Sequence, residues 1–471
     1  MAEKEKVSEK EETKRAPIDK ELPAIVNEIN KQFKTTKITT LSKAKSFAVK
    51  RYFSGSFGID YLTGGGYAYK RILLLYGHKS SGKNSQLYQM MAYNQRLCRN
   101  CHGILPEYYE SESQDRWTRI LSQFIGVHEC VCKQPAAKIF LLLDYEKSLG
   151  VEDPKPTIVR MLTDKKTNGP VDENIYNHQI DILADLKSKD KLTDPQKEIL
   201  EKTEAWLSGV KVEEQEIEKI PETDYMTACG INIDKLLVAE PKYMDEGIEI
   251  VKTIIKSREV DGIIWDSIQA AIPKYVEARD ADQATMGVEA KMTGLLMRQV
   301  VSAFSADDLL DPTEAYKPTL FITSQVRSDL GVMYAKPDSY SGGNALAHHI
   351  SLALEVKRDQ FLDQNGKEAP WGAIYHGQRT RIRVEKSKLG SPGEMFTYDY
   401  YFRACPNFAV GSIDHVGEIV NLGLLMGLVK QRGAWCDCGG QSFNGRNALR
   451  EALAMDPALT MQLYSDIAKR I

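Results

Sequence analysis

The chain has 471 residues, 42% of them hydrophobic and 27% charged, with a formal net charge of −3. That is a globular composition, long enough to bury at least one sizeable core, and its balance excludes a uniformly basic nucleic-acid binder, so that any nucleic acid must meet a local basic groove. No apolar run nears the roughly 20 residues that cross a bilayer, and the first residues lack a secretory core. A cytoplasmic, nucleoid-associated protein with no membrane partner is expected, or one in the host cytoplasm if the chain is viral. Eight cysteines in such a compartment read as thiols or metal ligands rather than disulfides.

Residues 1–17 mix Lys and Glu with almost no apolar side chains and are expected to form a disordered charged tail. Leu22, Ile25, Val26, Ile29 and Phe33 then recur at helical spacing, which predicts an amphipathic helix followed by a linker to about residue 50. Four short apolar runs follow within residues 51–402: Ile72–Tyr76, Ile139–Leu143, Ile263–Trp265 and Leu320–Thr323. Helical patterns separate them, which predicts an α/β core with a mostly parallel sheet and crossover helices. Two stretches break the rhythm. Residues 98–135 hold four cysteines, and residues 150–222 are charged with helix-like patches such as Pro195–Leu207; both read as surface insertions. Residues 403–471, with Leu422, Leu425, Leu428 and Val429, predict a small C-terminal domain.

Gly77, His78, Lys79, Ser80, Ser81, Gly82, Lys83 and Asn84 follow the first apolar strand and precede a helical segment. This is the glycine-rich phosphate loop in its strand–loop–helix context, with backbone N–H groups and a helix N-terminus directed at an anion. A tight glycine turn before a helix is the plain alternative. Lys83 would reach the β- and γ-phosphates. The last motif position normally supplies a hydroxyl to Mg²⁺; here it is Asn84, with Ser85 next, and a carboxamide oxygen is a neutral hard ligand. Asp266 ends a second strand, where an acidic magnesium partner belongs. Glu146 closes a third, where it would orient and deprotonate an attacking water.

Cys98-x-x-Cys101 and Cys130-x-Cys132 bracket the first insertion. Two close pairs across a loop suit a tetrahedral thiolate site for a structural Zn²⁺. His102 and His128 are alternative ligands, and free cysteines on a loop are the plain alternative. Cys436-x-Cys438 is a weaker pair, while Cys229 and Cys405 look like small core residues.

Beyond the phosphate loop, further segments carry a resemblance. They are Ser54-Gly-Ser-Phe-Gly-Ile-Asp-Tyr-Leu62, Leu143-Asp-Tyr-Glu146, the run beginning Tyr225-Met-Thr-Ala-Cys-Gly, and Trp265-Asp-Ser-Ile-Gln-Ala-Ala-Ile-Pro-Lys274. The most specific is Gln325-Val-Arg-Ser-Asp-Leu-Gly-Val-Met-Tyr334 with Ser341-Gly-Gly-Asn-Ala-Leu346; Gly417-Glu-Ile-Val-Asn-Leu-Gly423 and Gly433-Ala-Trp435 add a C-terminal match. Together they resemble the RecA recombinase family over most of the chain outside the two insertions.

The resemblance implies a RecA-type P-loop ATPase core with an N-terminal oligomerisation helix and a small C-terminal α/β domain, using ATP and Mg²⁺. It gives Tyr225 the adenine face and Gln325 the γ-phosphate. It puts a first DNA loop at about 276–287, with Met286, Lys291 and Arg298 near the strand. A second spans 327–343, where Arg327, Leu330, Ser341, Gly342, Gly343 and Asn344 would meet DNA; simple flexible loops are the alternative. Lys386 and Lys388, at i and i+2 on one face of a strand, resemble the pair that reaches the neighbouring subunit's ATP, the alternative being a solvated edge strand. The helix ending at Phe33 would pack on the adjacent subunit, or within its own. The implied activity is ATP-dependent pairing and exchange of single-stranded with homologous double-stranded DNA on a helical homo-oligomeric filament. A RecA-like DNA-binding scaffold or mediator that hydrolyses ATP weakly is the alternative. Asn84 favours the scaffold; Glu146, Gln325 and the two lysines favour the enzyme. A hexameric helicase is disfavoured by the run ending at Leu346 and by the C-terminal match.

Overall fold

The computed structural model describes residues 18–32, 38–39, 42–109, 115–147, 157–167, 173–189, 193–217, 222–274, 288–305, 310–327, 339–340, 343–370 and 372–470. Helix α1 (Ile18–Gln32) leads to a short pair, β1 (Arg51–Tyr52) antiparallel to β2 (Tyr67–Ala68), with α2 (Phe57–Thr63) between them. The core sheet uses β3 (Ile72–Gly77), β4 (Phe140–Asp144), β7 (Leu236–Ala239), β8 (Gly262–Asp266), β9 (Thr319–Arg327) and β11 (Leu352–Leu362), all parallel, in the order β11-β3-β9-β8-β4-β7. Beyond β11 the sheet continues antiparallel through β12 (Gly377–Ser387), β13 (Met395–Tyr401) and β14 (Ser412–Ile413).

The apolar runs are continuous because both faces of the parallel strands are covered. Along β3, Leu73 and Leu75 pack on one face with Phe140, Leu142, Ile264 and Phe321. Ile72, Leu74 and Tyr76 point to the other, with Leu141, Ile263, Trp265 and Leu320. Helix α3 (Lys83–Asn94) covers the first face. Helices α9 (Met244–Ser257) and α10 (Val288–Ala303) cover the second, through Ile248, Val251, Ile255, Leu296 and Val300.

The two insertions leave from this core. The first carries the short helices α4 (Pro106–Tyr109) and α5 (Arg116–Arg119), the latter running on into a π-helical turn at Ile120–Phe124. The second is helical as expected, through α6 (Glu173–Lys187) and α7 (Asp194–Ser208), with α8 (Glu222–Ala228) following it. At its base lies an antiparallel pair not expected from the sequence, β5 (Thr157–Asp164) with β6 (Val210–Ile217). The second strand is too charged to show as one. At the other end, β9 pairs with β10 (Ser339–Tyr340) and leads on to α11 (Gly343–His349).

The C-terminal part is a three-stranded sheet, β15 (Lys430–Arg432), β16 (Trp435–Cys438) and β17 (Gln441–Asn444), with α12 (His415–Leu425), α13 (Gly445–Met455) and α14 (Pro457–Ala468). It is latched to the core by Glu418 of α12, fully buried. The carboxylate accepts from the Ser56 hydroxyl and from the N–H groups of Phe57 and Gly58 at 3.2 and 3.3 Å, at the start of α2. His415 Nε2 lies 2.8 Å from the Tyr93 hydroxyl. Among the described residues no helix is long and apolar enough to cross a membrane.

Candidate nucleotide site

In open α/β sheets ligands bind beyond the carboxyl ends of the strands. Four neighbouring strands here, β3, β9, β8 and β4, bring the predicted residues to that edge. Gly77 is the register partner of Gln325, and Asp266 is the partner of Asp144, two residues before Glu146.

The loop itself is shaped by close approaches. A Cβ at Gly77 would lie 2.0 Å from the Val356 carbonyl oxygen. Gly82 caps α3 at φ +102°, a conformation that favours glycine, and a Cβ there would meet Gln378 Nε2 at 2.7 Å. His78, Lys79 and Ser80 are exposed, whereas Gly77 and Ser81 are buried. The Ser80 carbonyl accepts from Arg358 Nη1 at 3.1 Å and the Ser81 carbonyl from Gln378 Nε2 at 3.0 Å. The Ser81 hydroxyl is buried with no hydrogen-bond partner among the described residues, an unmet polar group of the kind a bound anion satisfies.

Lys83 donates to the carbonyls of Gly77 and His78 at 3.0 and 2.9 Å. Burial pushes its ammonium below the usual lysine range, and the carboxylates of Asp266 and Glu146 pull it partly back. Asn84 Nδ2 donates to Asp266 Oδ2 at 2.7 Å, and the Thr323 hydroxyl donates to Oδ1 at 2.5 Å. Burial raises the Asp266 carboxyl, the Thr323 bond opposes this, and Glu146 adds to it. Glu146 is exposed and accepts from the Ser267 hydroxyl at 2.6 Å. Gln325 is exposed, and its carbonyl accepts from Gln269 Nε2 at 2.9 Å. A glycine cradle, an unmet hydroxyl, and an ammonium among two carboxylates fit a triphosphate with a hard divalent cation.

Tyr225 is half-buried; its hydroxyl lies 2.6 Å from that of Tyr400 and beside Ser85, with its ring edge-on to Tyr88. Sequence reasoning missed Arg358, Gln378 and Gln269. The first two lie on strands far downstream, where a lone cation or amide gives no signal.

Of the residues expected at DNA, Met286, Leu330, Ser341 and Gly342 lie outside the described residues. Lys291 and Arg298 are exposed on α10, Arg327 ends β9, and Gly343 and Asn344 begin α11. Arg327 pairs with Ser339, so the base of the second loop is a two-residue ladder.

Lys386 and Lys388 sit at the opposite end of the sheet. Lys386 is the partner of Ala353, itself level with Leu74, and Lys388 N–H donates to Ser351 at 2.8 Å, beside Ile72. At about 3.3 Å per residue, both lie roughly 10–17 Å below the phosphate loop along the strands. Their ammonium groups turn to the end of α11, where the Lys386 ammonium donates to the Ala347 carbonyl and the Lys388 ammonium to that of His348 at 3.2 Å. Beside them opens a cavity of about 770 Å³ lined by Phe47, Val49, Arg71, Val301, His349 and Lys388, among others.

The four cysteines of the first insertion converge: the sulfur atoms of Cys98, Cys101, Cys130 and Cys132 all lie within 4.8 Å of one another. Neither histidine joins them. His102 stacks on Tyr316 at 4.7 Å, and His128 is exposed. Cys229, Cys436 and Cys438 are buried in the core, and Cys405 is half-buried.

Comparison with known proteins agrees with this geometry. A family model described as the RecA N-terminal domain matches residues 20–112 and 208–405, more than half of the chain. The chain is similar to Protein RecA of Chlorobium chlorochromatii, 27% identical over 244 residues (52% of this chain, 63% of the relative). It is also similar to Protein RecA of Chloroflexus aurantiacus, 29% identical over 240 residues (51% and 62%), and to that of Gluconacetobacter polyoxogenes, 26% over 248 (52% and 64%). The aligned part thus spans somewhat under two thirds of each relative's own length. The unmatched middle, 113–207, takes in most of the second insertion. The chain belongs to the RecA family, with that family's P-loop core.

Proposed function

We propose that the chain is an ATP-dependent DNA recombinase that assembles on single-stranded DNA and exchanges it with homologous duplex, hydrolysing ATP between neighbouring copies. The observation that carries this reading is the separation of charges across one sheet. Lys83, Asp266, Glu146 and Gln325 crowd the carboxyl edge, while Lys386 and Lys388 lie at the far edge, beyond reach of their own phosphate loop. Lysines so placed meet a triphosphate only when it belongs to another copy. Two further features support such a neighbour. Phe47, Val49 and Val301 at the far cavity are 55%, 45% and 43% exposed, and among residues 24–32 of α1 none is buried.

In the proposed mechanism Lys83 leaves its two loop carbonyls for the β- and γ-phosphate oxygens. Arg358 stands ready at the rim of the same loop. Asp266 with Asn84 would hold Mg²⁺, which supplies charge neutralisation on those oxygens. Glu146 accepts the proton of the attacking water, and Gln325 links the γ-phosphate to the second loop through β9. The neighbour's lysines complete the positive field in a site closed to water, where such charge contributes several kcal/mol. The cysteine cluster takes no part.

A slow-hydrolysing scaffold is the second reading, favoured by the Asn84–Asp266 hydrogen bond, which occupies a carboxylate oxygen that a metal would use. ATP turnover with and without single-stranded DNA separates the two: strong stimulation supports the recombinase, and none supports the scaffold. The shared site has its own test. A Lys386→Ala/Lys388→Ala protein should bind ATP without hydrolysing it, and mixing it with Lys83→Ala protein should restore part of the turnover. Confirmed co-assembly with no recovery would rule out action across the interface.

A further inference from the structure

Lys138 is a buried cation beside the cysteine cluster. It is 1% exposed, just before β4, yet among the described residues no carboxylate lies within ion-pair distance of its ammonium. Its hydrogen-bond partner is Asn94 Oδ1, at a long 3.5 Å, and the rings of Tyr52 and Tyr69 lie 5.9 and 5.7 Å away. Asp261, just before the neighbouring strand, is already engaged by Arg99 at 3.1 Å and by the Ile139 N–H at 2.9 Å. A buried ammonium left in this state costs several kcal/mol unless a compensating negative charge is close. The cluster adjoins it: Cys98 pairs through the backbone with Ala137, the residue before Lys138, and the Arg99 N–H donates to the Ala136 carbonyl at 2.8 Å.

The cluster has the dimensions of a metal centre. Zinc–sulfur bonds of about 2.3 Å in a tetrahedron put the sulfurs about 3.8 Å apart. Here Cys101 and Cys130 are 3.3 Å apart and Cys98 and Cys132 are 4.0 Å apart, bracketing that value and too long for the ~2.05 Å of a disulfide. Each half is folded as a turn whose amide points at sulfur: Gly103 N–H donates to Cys101 Sγ and Cys132 N–H to Cys130 Sγ, both at 3.4 Å. The halves meet closely at Gly103, where a Cβ would lie 2.8 Å from Cys130 Cα.

We propose that Cys98, Cys101, Cys130 and Cys132 hold one zinc ion as a tetrathiolate, and that the buried ammonium of Lys138 is its counter-charge. On binding, Zn²⁺ displaces the remaining thiol protons to solvent, leaving a centre of net charge −2 beside a cation that has no ion-pair partner among the described residues. The ion then ties the insertion to the amino ends of β4 and β8, through Lys138, Arg99 and Asp261. This does not depend on the nucleotide reading.

Full-length protein prepared without chelator should carry about one zinc per chain, lost in a Cys98→Ser/Cys101→Ser variant, and cobalt should bind in its place with thiolate charge-transfer absorption. Competition with a chromophoric chelator should show Lys138→Met weakening zinc by about tenfold or more, with Lys138→Arg restoring it. If the Met variant does not fold, Lys138→Gln, which keeps most of the length and loses the charge, takes its place. Absence of metal together with paired cysteines in a thiol count would overturn the site. Unchanged zinc affinity in the neutral Lys138 variants would overturn the counter-charge.

Discussion

Lys83 gives the plainest residue-scale expectation. It is the loop cation held among Asp266 and Glu146, so Lys83→Ala should lower ATP affinity about tenfold or more and abolish ATP-dependent DNA binding, while the circular dichroism spectrum stays unchanged. Asn84 is subtler. Its N–H bond to Asp266 at 2.7 Å competes with a metal for the carboxylate, so Asn84→Thr should raise turnover by roughly 1 kcal/mol of barrier, several-fold, without weakening DNA binding. A slower variant would mean the site is built around the amide. Asp60, in α2, provides a pH test. Burial raises its carboxyl to about 7, the Ser54 N–H bond at 3.0 Å works against this, and Glu418 adds to it. The folded state therefore keeps a proton that the unfolded chain releases near pH 4. This group's contribution to stability is full below about pH 4 and is lost as pH rises through 7. Asp60→Asn should match the wild type in unfolding free energy from urea titration at pH 4 and exceed it at pH 8, by at most about 4 kcal/mol.

At the scale of elements, the parallel strands could be read from the sequence because both faces are buried. Ile72–Tyr76 and Ile263–Trp265 are apolar without alternation, and their terminal residues Gly77 and Asp266 announce the site. The antiparallel extension was harder to see. In the sequence only Lys386 and Lys388 mark it as strand, although Ile382 and Val384 point inward between the more accessible Arg381, Arg383 and Glu385. The base of the second insertion was invisible because β6 carries Glu213, Glu214 and Glu216, residues poor in strand signal. The candidate site was legible wherever chemistry is concentrated in a motif. Arg358 and Gln378 were not, because they act by position on strands that reach the loop only after folding. One tertiary tie between elements is equally hidden. Glu314, fully buried, joins Arg258 before β8 to Lys317 before β9, the latter at 3.2 Å. Glu314→Ala leaves buried charge unpaired and should cost about 3–5 kcal/mol, measurable as a fall in denaturant midpoint with unchanged slope.

At the scale of the whole molecule, the second insertion is an appendage whose two ends meet. β5 and β6 run side by side, with Thr157 opposite Ile217, and the core sheet closes without them. Replacing residues 157–217 by a short Gly/Ser linker should therefore leave the melting temperature within about 3 °C, since loop closure depends weakly on length, and should leave ATP binding intact. A large loss of stability would show that the appendage is part of the core.

The far placement of Lys386 and Lys388 has an arithmetic consequence for any assembly that shares its sites head to tail. Such contacts are heterologous and do not close unless they form a ring. In an open row of n copies, one phosphate loop at the end always waits unserved, leaving n−1 working sites. Specific activity should climb with row length, from roughly half its plateau in a pair to about nine tenths at ten copies. Short oligonucleotides should thus support less turnover per bound copy than long ones. A small amount of lysine-less protein should silence one junction for each copy incorporated and leave the rest of the row at work.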